Sequence, residues 1–336
     1  MNKFSWYEAK SVEDALGKVN ATVSEILAKN GNQTSAIFKA GGVDLLDLMK
    51  EGLVRPGMVI GIKNIPGLDK IDYDAKTGLR IGANVSLSEM ESNDRIRDQY
   101  QALFQAVSHA GTPQIRNSAT LGGNLAQRTR CWYFRSIDHD CYRKGSGTCF
   151  AQEGENEFHA VMDNQPCASV HSSSVATALL AFNAKVEILS SDGKKREVKM
   201  EDFFVHPSKD SRTENILKAN EMITAVTVPA AGENIKSYYI KQGARESHDW
   251  ALADVAVVAE MSGTRCKKAE IALGAASPVP VKAKAAADSL AGKEINEASA
   301  VNAGEIAMKN ATPLANNGYK VPLFKTIIKR AILKTV

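Results

Sequence analysis

The 336-residue sequence lacks features that would assign it to several large classes of protein. No apolar run approaches the roughly 20 residues of a membrane-spanning helix, and the first residues lack the apolar core of a secretory signal. We therefore expect no membrane span and no export signal of its own. The 42 basic residues are scattered among 38 acidic ones, without the basic stripe and interleaved aromatic residues of a nucleic-acid-binding surface. No nucleic-acid partner is expected.

Short motifs that assign a reaction are also missing. The sequence contains no G-x-G-x-x-G fingerprint of a Rossmann site, no nucleophile–base pair and no metal-hydrolase motif. We therefore predict no catalytic side chain on this chain. Its 44% hydrophobic and 24% charged residues are typical of a globular protein with two or three domains.

Helical and strand patterns alternate along the first part of the chain. Apolar spacing predicts a helix over residues 11–30 and a buried strand over 36–38. This alternation indicates an α/β or α+β fold. Past Pro229, strand patterns are followed by helices, including one predicted over 281–290. We place a domain boundary near residue 229.

A first glycine-rich segment, Ala40–Leu46, follows the strand predicted at 36–38. Gly41 and Gly42 allow a tight turn and let backbone N–H groups approach a ligand without a Cβ in the way. Successive exposed amides form an anion-binding nest that suits a diphosphate. A plain turn explains paired glycines equally well, so this segment alone does not identify a ligand.

A second segment, Gln114–Leu125, combines polar side chains with another glycine pair, Gly122 and Gly123. The glycines are expected to free backbone amides, and side-chain donors come from Arg116, Asn117, Ser118 and Thr120. A polar surface loop is the alternative. Two such segments in one domain favour a ligand site.

Seven sequence segments occur in the order found in a known family. They are KAGGVDLLDLM (39–49), LRIGANVSLSEM (79–90), QIRNSATLGGNLAQ (114–127), DFFVHP (202–207), KQGARESHDWALADVAV (241–257), IALGAASPVPVKAKAA (271–286) and YKVPLFKTIIKRAI (319–332). Together they resemble the FAD-binding subunits of molybdenum hydroxylases, which include xanthine dehydrogenase, carbon monoxide dehydrogenase and aldehyde oxidoreductase medium subunits. The resemblance covers almost the whole chain.

This resemblance implies an α+β fold and an FAD site. A two-part PCMH-type FAD-binding domain is expected over 1–229, followed by a smaller C-terminal sheet-and-helix domain over 230–336. The implied FAD-binding residues are Lys39, Ala40, Gly41, Gly42, Val43, Asp44 and Leu45 in the first segment, Gln114, Arg116, Asn117, Ser118, Thr120, Gly122, Gly123 and Asn124 in the second, and Ser174 and Lys241 beyond them. Lys241 matches a lysine near the flavin ring.

One departure from the family concerns the residues before a predicted apolar helix. Relatives commonly carry Pro-Ser-Asp there, whereas this chain has His171-Ser172-Ser173-Ser174. An aspartate contact to FAD is therefore absent at this point, and the Ser174 hydroxyl is the remaining donor.

Four of the five cysteines lie in an irregular, polar insert at about 126–168. They are Cys131, Cys141, Cys149 and Cys167, in the spacing C-x9-C-x7-C-x17-C. Clustered cysteines in a chain without a signal peptide favour a metal site over disulfides. The spacing fits neither a zinc ribbon nor a ferredoxin run, so zinc and an iron–sulfur cluster both remain open.

Two groups within the family resemble this insert. They are the 4-hydroxybenzoyl-CoA reductase β subunits and the flavin subunits of bacterial aldehyde oxidoreductases exported to the periplasm, and both carry a [4Fe-4S] cluster. The insert of this chain resembles that of the aldehyde oxidoreductase subunits more closely. The resemblance thus implies that Cys131, Cys141, Cys149 and Cys167 ligate [4Fe-4S]. Cys266 is expected to be an ordinary cysteine, and His139, His159 and His171 are expected to be structural.

The implied function is that of an electron-transfer subunit in an aldehyde-oxidising heterotrimer. Its implied partners are a large molybdenum-cofactor subunit, a small [2Fe-2S] subunit and an external electron acceptor. One alternative is a 4-hydroxybenzoyl-CoA-reductase-like complex with reversed electron flow, and another is a zinc-stabilised binding module without redox activity. We expect a cytoplasmic location, with co-export alongside a twin-arginine-bearing partner as the alternative.

Overall fold

A computed structural model describes residues 2–28 and 34–336. Its strands are β1 (Ser5–Glu8), β2 (Ala36–Lys39), β3 (Met58–Gly61), β4 (Ile71–Asp74), β5 (Gly78–Gly82), β6 (Lys185–Ser190), β7 (Lys195–Lys199), β8 (Glu221–Val228), β9 (Ile235–Gln242), β10 (Ala253–Ser262), β11 (Arg265–Gly274) and β12 (Val281–Lys282). Its helices are α1 (Val12–Leu16), α2 (Val23–Ala28), α3 (Leu45–Lys50), α4 (Leu87–Glu91), α5 (Asp94–Gln99), α6 (Gln101–Ser108), α7 (Pro113–Ser118), α8 (Leu121–Leu125), α9 (Trp132–Arg135), α10 (Ser174–Ala181), α11 (Met200–Phe203), α12 (Lys284–Asp288), α13 (Glu297–Ala307) and α14 (Lys320–Leu333), with a 3₁₀ helix at Tyr142–Lys144.

A small parallel sheet, in the order β1-β3-β2, forms the N-terminal part of the molecule. Its central strand β3 pairs with both neighbours, and the apolar residues Ile37, Val59 and Ile60 are buried in and beside it. The carboxyl end of β2 leads directly into the first glycine-rich segment. The sheet therefore fixes where that segment begins.

A five-stranded antiparallel sheet, in the order β4-β5-β8-β6-β7, forms the second part. Helices α6 and α10 lie in the same hydrophobic core, which includes Ile81, Leu103, Leu179 and Val226. Helix α10 is buried along its whole length, in keeping with its uniformly apolar composition.

The C-terminal part is a four-stranded antiparallel sheet, in the order β12-β11-β10-β9, covered by helices. Helix α14 turns its apolar stripe, including Phe324 and Ile328, onto Val257 and Ile271 of the sheet. Helix α10 contacts β10 and β11 as well, so it joins the second and third parts. Separate sheets with helices on their faces confirm the predicted α+β class.

Two predicted helices differ from the structure. The helix predicted over 11–30 is two short helices, because Gly17 ends α1 and Asn20 binds the strand region instead: its amide donates to the carbonyl of Thr34 (3.1 Å) and accepts from the N–H of Ala36 (2.8 Å). Residues 29 and 30 of that prediction lie outside the described residues. The helix predicted over 281–290 begins with strand β12 and turns helical only at Lys284.

None of the helices in the described part of the chain is long and apolar enough to cross a bilayer.

Candidate cofactor site

A cleft of about 470 Å³ opens where the three parts of the fold meet. Its walls come from the segment after β2, from α7 and α8, from the start of the insert, and from β9 and the loop that follows it. A volume of this order suits a cofactor or a similarly sized ligand. The cleft is thus built from elements far apart in sequence.

The first glycine-rich segment presents free backbone donors to this cleft. Gly42 has a φ of +80°, a backbone conformation that residues with a Cβ rarely adopt. Within the described residues, the N–H groups of Gly41, Gly42 and Val43 donate to no protein acceptor. A Cβ at Gly41 would lie 2.0 Å from the carbonyl oxygen of Ser118, so the two glycine-rich segments touch here. This wall fits an anionic group such as a diphosphate.

The second glycine-rich segment differs from the predicted loop, because it forms the two short helices α7 and α8. Its glycine amides are already used: Gly122 N–H donates to the carbonyl of Ala83 (2.8 Å), and Gly123 N–H donates to the hydroxyl of Thr120 (3.2 Å). The expectation that Gly122 and Gly123 free their amides is therefore wrong. The N-cap Thr120 satisfies Gly123, and the carbonyl of Ala83, which lies outside the helix, satisfies Gly122.

Twelve of the seventeen predicted FAD-binding residues line the cleft. They are Lys39, Ala40, Gly41, Gly42, Val43, Asp44, Leu45, Thr120, Gly123, Asn124, Ser174 and Lys241. The other five do not: Gly122 packs against Ala83, and Gln114, Asn117 and Ser118 are exposed beside the cleft.

Arg116 is the fifth residue outside the cleft wall. Its guanidinium binds the carboxylate of Glu91 (2.8 Å) and the carbonyl of Gly111 (2.7 Å). The side chain is almost fully buried in this arrangement. Within the structure, Arg116 holds helix α7 in place.

Ser174 and Lys241 both line the cleft. Ser174 begins helix α10, and Ser173 caps that helix by accepting from the N–H of Ala176 (2.9 Å). The Nζ of Lys241 donates to the carbonyl of His109 (2.9 Å). Burial lowers the pKa of Lys241, partly offset by the nearby carboxylates of Asp254 and Asp249.

The cleft wall also contains residues that the sequence does not single out for FAD, among them Arg128, Arg130 and Trp250. Arg128 is buried, and its Nε and Nη2 donate no hydrogen bond within the described residues. The guanidinium of Arg130 lies 4.6 Å from the ring centroid of Trp250, a cation–π contact. The sequence gives a partial signal for Arg128 and Arg130, because they are among the basic residues near the cysteines that would offset the negative charge of a thiolate-ligated centre.

Carboxylates hold the arginines of the insert. Asp44 accepts from the main-chain N–H of Arg128 (2.9 Å) and forms ion pairs with Arg130 (3.0 Å) and Arg135 (2.6 Å). Glu214 lies between Arg128 (3.3 Å) and Arg143 (3.4 Å). Asp44 therefore ties the first glycine-rich segment to the start of the insert.

The structure brings the four clustered cysteines together, and all are free thiols. Cys131, Cys141 and Cys149 each interact electrostatically with Cys167. Burial raises the pKa of Cys131 to about 12. The hydrogen-bonding contact with Cys149 lowers the pKa of Cys167, with Arg143 adding to the effect. Cys266 lies apart in strand β11, inside the apolar core.

The predicted structural histidines lie around this cluster. The Nε2 of His159 is 3.2 Å from the sulfur of Cys131, and burial lowers its pKa to about 4. Burial likewise lowers the pKa of His171 to about 4. His139 contacts the hydroxyl of Ser136 (3.1 Å). Among the described residues, no three His, Cys, Asp or Glu side chains converge to hold one metal ion.

Comparison with known proteins agrees with this architecture. Residues 2–231 match the FAD binding domain in molybdopterin dehydrogenase, and residues 238–335 match the CO dehydrogenase flavoprotein C-terminal domain. The chain is 36% identical to the aldehyde oxidoreductase FAD-binding subunit PaoB of Escherichia coli K12, over 86% of this chain and 88% of that protein. It is 24% identical to the carbon monoxide dehydrogenase medium chain of Hydrogenophaga pseudoflava, over 98% and 96%.

Solved structures show the same fold. A carbon monoxide dehydrogenase structure from Hydrogenophaga pseudoflava superposes with a TM-score of 0.74 at 24% identity, covering 99% of this chain and 97% of that one. Quinoline 2-oxidoreductase from Pseudomonas putida 86 gives the same TM-score, identity and coverage. The predicted fold, an FAD-binding domain followed by a C-terminal sheet-and-helix domain, is confirmed. The chain belongs to the FAD-binding medium subunits of the molybdenum hydroxylases, a family of oxidoreductases.

Proposed function

We propose that this chain carries FAD in the cleft and a [4Fe-4S] cluster on Cys131, Cys141, Cys149 and Cys167, as the electron-transfer subunit of a molybdenum-dependent aldehyde oxidoreductase. One observation carries the proposal: Arg130 lines the cleft, and Cys131, the next residue, belongs to the thiol cluster. Two cofactor sites thus share one wall, as an electron relay needs.

FAD, when bound, supplies one- and two-electron transfer, whereas an iron–sulfur cluster moves one electron at a time. The protein's own residues position the flavin nucleotide. The free amides of Gly41, Gly42 and Val43 are suited to its diphosphate. The buried guanidinium of Arg128 adds positive charge nearby: Glu214 lies 3.3 Å from its Nε, and its Nη2 donates no hydrogen bond within the described residues. Lys241 places an amine of lowered pKa at another part of the cleft wall.

The thiol cluster suits a four-iron centre better than a single zinc ion. In a cubane each thiolate binds a different iron, whereas the ligands of zinc must converge on one point. The four thiols lie together without such convergence. Arg143 beside Cys167 and Lys144 beside Cys141 would offset the negative charge of a thiolate-ligated cluster.

The aldehyde assignment rests on the 36% identity to an aldehyde oxidoreductase FAD-binding subunit. In this proposal, a large molybdenum-cofactor subunit oxidises the substrate, and a small [2Fe-2S] subunit delivers electrons to this chain. An external acceptor then receives them. This division of labour agrees with the absence of a nucleophile–base motif in the sequence.

Anaerobic mixing with an aromatic aldehyde tests the proposal. The purified complex should bleach its flavin absorbance within the time of turnover, while the isolated chain, although it holds FAD and iron, should stay oxidised. Aldehyde oxidation by the isolated chain would overturn the proposed function. So would a complex that leaves its flavin oxidised with aldehyde yet turns over with an aryl-CoA thioester and reduced ferredoxin.

A further inference from the structure

An exposed band of aromatic side chains crosses the insert. We define the aromatic ridge as Phe158, Trp132, Tyr133 and Phe150, whose rings follow one another at centroid distances of 5.6, 5.9 and 5.8 Å. Its two ends are open to solvent, with Phe158 44% and Phe150 37% exposed. Trp132 and Tyr133 between them are partly buried. Exposed aromatic side chains on such a base are suited to an interaction site.

The aromatic ridge lies directly against the thiol cluster. Trp132 follows Cys131 in the chain, and Phe150 follows Cys149. The ring of His159, which contacts the sulfur of Cys131, lies 4.9 Å from the ring of Trp132. The ridge is therefore the surface by which a second protein would come near to these thiols.

The part of the insert that carries the two exposed ends of the aromatic ridge is acidic in sequence, although the whole chain is basic. Residues 136–165 contain two basic residues and six acidic ones, Asp138, Asp140, Glu153, Glu155, Glu157 and Asp163, a net charge of −4. Because the chain carries +4, the remaining residues carry +8. All six acidic residues are exposed, and within the described residues none forms an ion pair.

The two basic residues offset only part of this charge, because Arg143 is buried and Lys144 interacts electrostatically with Asp138 and Asp140 alone among the six acidic residues. Arg143 is only 1% exposed and pairs with Glu214. The Nζ of Lys144 donates to main-chain carbonyls, including that of His139 (2.6 Å). The charges of Glu153, Glu155 and Glu157 are therefore left for a partner.

We infer that the aromatic ridge and its acidic rim form the docking surface for a redox protein that presents a basic rim around its own cofactor. This inference rests on the proposed [4Fe-4S] cluster, which supplies the electrons. A second copy of the chain would bring the same acidic face and be repelled. Electron-transfer contacts are small and transient, so a few aromatic side chains with steering charges suffice.

Reduction of cytochrome c, a basic haem protein, by the purified complex with aldehyde tests this inference. The variant combines Glu153→Lys, Glu155→Lys and Glu157→Lys; the matched control combines Glu233→Lys, Asp288→Lys and Glu294→Lys, which are exposed residues outside the insert. The two triple substitutions change the net charge of the chain by the same amount. A neutral benzoquinone serves as the small acceptor that needs no docking.

At about 10 mM ionic strength, where the screening length is roughly 30 Å, the insert variant should lose at least about tenfold in kcat/KM for cytochrome c. At about 1 M the difference should vanish. The control variant should match the wild type, and benzoquinone reduction should change in neither. Phe158→Gln should lower cytochrome c reduction at both ionic strengths.

Equal loss in both charge variants, or no loss in either, would overturn the docking surface. Loss of the partner subunits from the insert variant would also overturn it, because the ridge would then be an interface inside the complex. Failure of the proposed function looks different: by electron paramagnetic resonance, the reduced wild-type complex would show only the signals of its [2Fe-2S] subunit and none from a [4Fe-4S] cluster.

Discussion

Arg143 and Glu214 form an ion pair of 3.4 Å in which the two side chains are only 1% and 2% exposed. Glu214 shares its charge with Arg128, so one carboxylate serves two buried guanidinium groups. Burial alone would raise the pKa of Glu214, but Arg143 and Arg128 outweigh it and hold the pKa below its usual value. This arrangement joins the wall of the flavin cleft to the cysteine insert.

Glu214→Gln should therefore destabilise the protein by about 3–5 kcal/mol, because it leaves two buried cations without their counter-charge. The midpoint of thermal unfolding, followed by circular dichroism, measures this. Glu197→Gln is the matched control, since Glu197 pairs with Lys185 (3.1 Å) at the surface, with both side chains 53% exposed. That substitution should cost less than about 1 kcal/mol. Equal midpoints in the two variants would contradict the structural role.

The same ion pair predicts a dependence on pH. The folded pKa of Glu214 is depressed, so its ionisation stabilises the fold fully above the unfolded value of about 4.3. This contribution is lost as the pH falls below that value towards the folded pKa. The difference in unfolding midpoint between wild type and Glu214→Gln should thus be constant from about pH 6 to 7, which lies above the unfolded pKa. It should shrink as the pH falls below roughly 4.3. A difference that grows on acidification would refute the assignment.

Gly41→Ala should abolish FAD binding, because its Cβ would lie 2.0 Å from the carbonyl oxygen of Ser118 and force the two glycine-rich segments apart. The ratio of flavin absorbance to protein in the purified variant measures this. Gly232→Ala is the control, since a Cβ there meets no heavy atom within 4 Å. Normal flavin content in Gly41→Ala would mean that the two segments do not form the cofactor wall.

Trp250 should report on flavin binding. It lines the cleft and is 55% exposed, so bound FAD should quench its fluorescence. Titration of FAD into the apoprotein should therefore give much less quenching in Trp250→Phe than in the wild type. Trp6→Phe should keep the quenching, because Trp6 is similarly exposed but does not line the cleft. The reverse order would place the flavin elsewhere.

Serine substitution should separate ligand cysteines from the ordinary one. Cys131→Ser, Cys141→Ser, Cys149→Ser and Cys167→Ser should each lose most of the iron and acid-labile sulfide, since each thiolate binds its own iron. Cys266→Ser should retain both, because Cys266 lies in the apolar core of the C-terminal part. Full iron in any of the first four would remove that residue from the ligand set.

Much of the site was predictable because it is encoded locally. Gly41 and Gly42 follow a strand, and the positive φ of Gly42 favours a residue without a Cβ, so residue types alone indicate the first segment. The cysteines were recognised by their clustering. The overall α+β class also follows from local periodicity and the order of motifs.

The remainder depended on contacts between distant residues. The helix predicted over 11–30 is interrupted after Gly17, where Asn20 binds Thr34 and Ala36 at the start of β2. Gly122 gives its amide to Ala83, so the second segment folds into capped helices instead of an open loop. Arg128 faces the cleft because Glu214 lies 86 positions away in sequence but adjacent in space. Periodicity and spacing do not report such pairs.

The most direct measurement of the central claim is the content of iron, zinc, acid-labile sulfide and FAD in chain purified anaerobically. If FAD and a [4Fe-4S] cluster bind on either side of one shared wall, each chain should contain one FAD, about four iron atoms and about four sulfides. It should contain no stoichiometric zinc. Zinc in place of iron would contradict the claim and favour a metal-stabilised module without redox activity. A colourless protein, without flavin or iron, would contradict both halves of it.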